Sequence, residues 1–267
     1  MTKHPPVFFA IVGVRHEPLL ALKETFPRIQ DALRRNGFSG SVFRETADIS
    51  TVDEGTNQIL NTFAVFNAQS TRGFTFNDQG TFSYHTTEYT NREDLFSAFA
   101  LGLGILDREL SLQTLIRVGV RMVDLIRPSD WGLTLEQMVD PRLLGFRGLP
   151  CAGAMKPGMA TMEQRFVSDD AELITKFDCL PDGFGIQADL YPVLRNHTLP
   201  ATVTSTTGVL HGLLDIDSGT RSGKEVAPRK FSQDAILDEL VGHNDRISEA
   251  FRAAVTPLAL KTWGLKP

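Results

Sequence analysis

The tetrapeptide Val-Gly-Val-Arg occurs twice, at 12–15 and at 118–121, each time inside an apolar run. Arginine carries a planar fork that binds two oxygens of a carboxylate or phosphate together. On an extended strand, a glycine two positions before it shares its face and removes side-chain bulk there. Over 115–126 one face carries Ile116, Val118, Val120 and Met122, and the other Arg117, Gly119, Arg121 and Val123. Over 11–17, Val12 and Val14 take the apolar side, and Ile11, Gly13, Arg15 and Glu17 the other. A third strand-like stretch, "HGLLDID", sets His211, Leu213, Asp215 and Asp217 on one face.

Two chemistries fit this set. In the first, Arg15, Arg117 and Arg121 are tied to carboxylates such as Asp215 and Asp217 on adjacent strands, a structural ion-pair layer. In the second, the glycines and arginines form a concave face that admits an anionic or backbone-rich ligand. A metal site at His211, Asp215 and Asp217 fails on reach: along one strand the outer two stand ~20 Å apart at ~3.3 Å per residue. No metal and no cofactor is expected.

Other constellations fail on spacing. "GTRSGK" (219–224) is one residue short of a phosphate loop, and Lys224 is followed by Glu225 where a serine or threonine is needed. It reads as a loop leaving a strand. No GxSxG, HExxH or GxGxxG occurs. Cys151 and Cys179 have no CxxC spacing and read as reduced thiols. His16 and His85 read as polar strand residues.

Lysine and arginine number 27 against 32 aspartate and glutamate, a net charge of −5. That balance argues against a protein coated in nucleic acid, which needs a basic face. The apolar run at 7–14 follows two prolines, runs directly into "RHE", and lacks a small-residue cleavage site, so no export signal is expected. No apolar run approaches the ~20 residues of a membrane helix.

The elements that must position these residues are an α+β set, mainly antiparallel sheet with helices packed on one face. Strands are predicted at 7–16, across 40–90 as a meander with a tight turn at 77–80, and at 113–126. Pro27 is read as interrupting a helical stretch and starting a helix that Gly37 closes. Asn91 caps a helix whose Phe96, Phe99, Leu103, Leu106 and Leu110 share one face. "TLEQ" (134–137) is a capping box candidate, and "DPRLLG" (140–145) a single turn. Strands are then predicted at 160–168, 171–179, 184–195 and 209–217. A long helix follows Ser232, with Ile236, Leu240, Ile247, Phe251 and Ala254 as its buried stripe, and a short one follows Thr256. The plan is two meander-plus-long-helix lobes, 1–147 and 160–267, joined by a Gly/Pro-rich linker at 148–159, with one integrated domain sharing a continuous sheet as the alternative.

Three segments together, "HPPVFFAIVGVRHEP", "RVGVRMVDLI" and "LLDID…DELVGHNDRISEAFRAAVTPLALKTWG", resemble a sporadically distributed family of uncharacterised bacterial proteins. Members open on a Pro-Pro strand, carry a central strand of the type Gly-Leu-Arg-Tyr-Ile-Asn-Arg-Ile, and close with a helix ending Trp-Gly. Gly119, Arg121 and Ile126 fit the central pattern; Met122, Asp124 and Leu125 replace its tyrosine, asparagine and second arginine. The resemblance implies an accessory bacterial system, in defence, toxin neutralisation or specialised biosynthesis, and carries over no catalytic residue.

The leading expectation is a non-enzymatic cytoplasmic binding protein with a protein partner or self-association. Its candidate binding residues are Arg15, Arg117, Arg121, His211, Asp215 and Asp217. The alternatives are an enzyme acting on a small anionic substrate at the same face, and a nucleic-acid binder using Arg117, Arg121, Arg147, Lys156 and Arg165.

Overall fold

The computed structural model describes residues 6–40, 42–50, 57–145, 159–181, 185, 187–204, 210–221 and 227–266. The element order is β1 (Val7–His16), α1 (Leu22–Arg35), β2 (Val42–Ser50), β3 (Asn57–Phe66), β4 (Arg72–Asn77), β5 (Thr81–Thr86), α2 (Arg92–Leu110), β6 (Thr114–Ile126) and α3 (Leu135–Met138). It continues with β7 (Ala160–Val167), β8 (Ala171–Leu180), α4 (Tyr191–Leu194), α5 (Ala201–Thr204), β9 (His211–Thr220), β10 (Arg229–Lys230), α6 (Gln233–Ala254) and α7 (Pro257–Trp263). One 10-stranded sheet runs β2-β3-β4-β5-β1-β6-β9-β8-β7, with β10 on the end of β6. Every pairing among the described residues is antiparallel. The fold is α+β.

Strands from both sides of 148–159 stand in this one sheet, joined where β6 meets β9. Most of the expected linker, with Arg147, Cys151 and Lys156, falls outside the described residues. The main core lies between the sheet and the long helices. Val12, Val14, Val118, Val120, Met122 and Ile216 of the three central strands pack there with Phe99 and Leu103 of α2 and Ile236, Leu240 and Ile247 of α6. A smaller core covers one end of the opposite face, where Leu190, Leu194 and Val203, in and beside α4 and α5, meet Phe9, Val123 and Leu213.

Local signals account for most boundaries. Asn91 Oδ1 accepts the Asp94 amide at 2.8 Å, and Thr256 Oγ1 accepts that of Ala259 at 3.1 Å. Thr134 and Gln137 complete the capping box of α3. At 77–80 the Asn77 side chain accepts the amides of Gln79 and Thr81, at 3.1 and 3.0 Å, and Gly80 takes a positive φ of 87°.

Four expectations are corrected. Pro27 lies inside α1, which already begins at Leu22. The buried stripe Leu22, Thr25, Ile29 and Leu33 holds the helix through the one hydrogen bond that proline forfeits. The stretch 184–195 is no strand where it is described: 188–190 is a turn and Tyr191–Leu194 is α4, started by Pro192. β9 extends to Thr220, so Gly219 belongs to a strand rather than a loop. On β6 it is Leu115, not Ile116, that enters the core, because a register shift between Arg15 and His16 breaks the alternation there.

Candidate functional site

β1 and β6 are neighbours, in the register Ile11↔Arg121, Val12↔Val120, Gly13↔Gly119, Val14↔Val118 and Arg15↔Arg117. The two Val-Gly-Val-Arg copies therefore lie side by side and antiparallel. A local two-fold axis of the backbone passes through the Gly13–Gly119 pair and exchanges Arg15 with Arg121. β9 extends the register with Gly119↔Gly219, Arg121↔Asp217 and Val123↔Asp215. Directly opposed residues share a face, so Arg15, Arg117, Arg121, Asp215 and Asp217 all stand on the face away from the long helices.

Gly13, Gly119 and Gly219 make a row three strands wide without side chains, bounded by Ser83 on β5 and Glu172 on β8. Over it lies an open groove of about 490 Å³, lined by Arg15, Thr81, Arg117, Arg121 and Asp217 among others. The glycines are not interchangeable. A Cβ on Gly219 would stand 2.8 Å from Nη2 of Arg117, so this glycine is the bed on which that guanidinium lies. A Cβ on Gly13 would meet the Phe82 carbonyl oxygen at 3.0 Å, whereas one on Gly119 would meet nothing closer than 3.4 Å.

The three arginines differ in how they are compensated. Arg121 donates from Nε and Nη2 to both oxygens of Asp215, at 2.8 and 2.6 Å, and from Nη1 to Asp189 at 2.5 Å. Burial opposes its charge, but these hydrogen bonds more than offset that and raise its pKa above the ordinary arginine value. Burial pushes the Asp215 carboxyl up, and Arg121 pulls it part of the way back. Burial likewise raises Asp217, against the pull of Arg117 and Arg121. Asp189 ends below its ordinary value because Arg121 outweighs its burial.

Arg117 donates to the Thr220 carbonyl at 3.2 Å and to Glu172 at 3.4 Å, and lies 3.9 Å from Asp217. Glu172 is also held by Arg165. Arg117 keeps 33 % of its side chain exposed. Arg15 is exposed, and among the described residues no carboxylate pairs with it. Its backbone stands opposite that of Arg117 on the β1–β6 ladder, while the Arg117 guanidinium turns away over β9 toward Glu172.

Sequence reasoning thus places four of its six candidates, Arg15, Arg117, Arg121 and Asp217, in the groove lining, with Asp215 beneath Arg121. His211 stands apart: it is buried at the far end of β9, opposite Leu180. Gly219, Glu172 and Asp189 were not singled out from sequence. Gly219 was legible as a partner for Gly119 only once β9 is known to reach it; Glu172 and Asp189 depend on the β8 register and on the turn before α4. Arg165 of the proposed basic patch is occupied by Glu172, and Arg147 and Lys156 lie outside the described residues.

Among the described residues no three His, Cys, Asp or Glu side chains stand together in a metal-binding group, and no helix is long and apolar enough to cross a membrane. No protein-family model, curated protein or solved structure matches the chain.

Proposed function

We propose that this is a non-enzymatic, cytosolic binding protein of an accessory bacterial system, and that its glycine-floored groove receives an acidic segment of a protein partner. The observation that carries the reading is Arg15. It stands exposed at one end of an open groove, and among the described residues no carboxylate pairs with it. A carboxylate laid beside it gains charge-assisted hydrogen bonds. The side-chain-free row of Gly13 and Gly119 lets an extended chain lie close to the sheet. Among the described residues the groove lining contains no histidine or cysteine, which favours binding over catalysis by an imidazole base or a thiol nucleophile.

Titration calorimetry with an acetylated hexaglutamate peptide tests this. The expected result is saturable binding that weakens with salt and falls at least tenfold in Arg15→Glu, whose melting temperature stays that of the parent because the side chain is exposed. Absence of binding, or equal binding by Arg15→Glu, overturns it. Preference for a single-stranded oligonucleotide over the peptide, with a log-linear salt dependence, moves the groove to nucleic acid.

A further inference from the structure

The opposite face of the same strand holds a second, unrelated feature. Alternation along β6 turns Met122, Asp124 and Ile126 toward the long helices. Met122 and Ile126 belong in the main core; a carboxyl group does not. Asp124 is 2 % exposed, and its Oδ1 accepts no hydrogen bond. It lines a cavity of about 390 Å³ between the sheet, the start of α2 and the C-terminal half of α6, whose walls include Val7, Tyr89, Asn244, Ile247 and Phe251.

We propose that this cavity binds a small organic ammonium ion, with Asp124 as its counter-ion. A buried carboxyl without a partner is costly, and a cation is the ligand that compensates it. The apolar side chains of the lining suit an organic body, and the aromatic residues Tyr89 and Phe251 among them suit a positive charge. A bare metal ion fits poorly, since no cluster of three ligating side chains is present among the described residues. The other charged groups around the cavity leave room for a cation. Arg92 is occupied by Glu93 at 2.9 Å and Asp245 at 3.0 Å, and Arg252 donates to the Lys266 carbonyl. Glu93 stands at the rim, and Asp215 lies just across the sheet, since Val123 beside Asp124 is its register partner.

Cation binding at Asp124 is linked to proton release. Burial first, and then the charge of Asp215, raise the Asp124 pKa to about 8. Near neutral pH the empty cavity therefore holds a carboxylic acid. A cation binds the carboxylate, so one proton leaves to solvent for each ligand bound. Affinity rises with pH, by about tenfold per unit, until the carboxyl is ionised in the free protein near pH 8, and is flat above that.

Calorimetry with benzyltrimethylammonium, whose charge is independent of pH, and with benzylammonium tests the site. Runs near pH 7 in two buffers of different ionisation enthalpy should show close to one proton released per ligand, falling toward none near pH 9. Asp124→Asn should lose at least tenfold in affinity while melting no lower than the parent. Failure of both probes to bind saturably overturns the proposal, as does binding without proton release, or undiminished binding by a folded Asp124→Asn. Should that variant not fold, the two-buffer measurement on the parent protein decides alone.

Discussion

Arg121 and Arg15 occupy equivalent positions in the two Val-Gly-Val-Arg copies, yet their surroundings give them different energetic roles. Arg121 is 18 % exposed and grips a nearly buried Asp215 with two parallel hydrogen bonds. Removing one partner of such a pair strands the other charge in a poorly solvated place. Arg121→Ala is therefore expected to destabilise the protein by ~3 kcal/mol or more. Arg15→Ala, at an exposed position with no partner carboxylate among the described residues, should change stability by less than about 1 kcal/mol. Urea denaturation of the two variants in parallel checks this; equal effects would mean the Arg121–Asp215 contact carries no weight. At this scale the arginines and aspartates were legible, because residue type and strand alternation suffice to put them on one face. Which aspartate each arginine takes was not. Asp217 is the residue opposite Arg121, but the long guanidinium stem reaches the diagonal Asp215 instead.

Glycines on helices show the same dependence on neighbours between elements. Gly102 of α2 packs against the sheet, where a Cβ would fall 2.2 Å from the Phe74 ring. Gly242 of α6 has nothing within 4 Å of its would-be Cβ. Alanine gains roughly 1 kcal/mol of helix propensity over glycine at either position. Gly242→Ala should therefore stabilise by about that amount. In Gly102→Ala the gain is overcome by the forced separation of α2 from β4, for a net loss of ~1–3 kcal/mol. Thermal melts of the pair, moving in opposite directions, are the expected result. Elements with strong caps and one clear period, such as α2, α6 and the two central strands, were legible almost to their ends. The failures were at 27, at 184–195 and at the end of β9. At Pro27 a buried stripe overrides the proline; in 184–195 a mixed apolar stretch carries no clean period, and Pro192 marks a helix start.

For the whole molecule, the decisive feature is that β6 pairs with β1 on one side and β9 on the other. The two Val-Gly-Val-Arg strands were expected in one central sheet, adjacent or one strand apart, and they are adjacent; the continuation of that sheet into β9 was read only as an alternative to two separate lobes. With backbone hydrogen bonds and the main core both continuous across that junction, the chain is expected to unfold in one transition. Far-UV circular dichroism and the fluorescence of Trp131 and Trp263, one from each segment, should give coincident urea curves. Two separated midpoints would show that the segments melt independently.

The backbone symmetry about the Gly13–Gly119 pair has an electrical counterpart that is not symmetric. At the Arg15–Arg117 end of the groove one guanidinium has no carboxylate partner among the described residues, while at the Arg121 end Asp215 and Asp189 cancel the charge. The groove is thus a shape that would accept an extended ligand in either sense, carrying a field that accepts only one. If the groove receives the acidic segment proposed, a chain with its negative charge at one terminus is sorted head from tail before any side-chain pocket reads it, and reversing the order of its residues should weaken binding without changing composition, length or net charge.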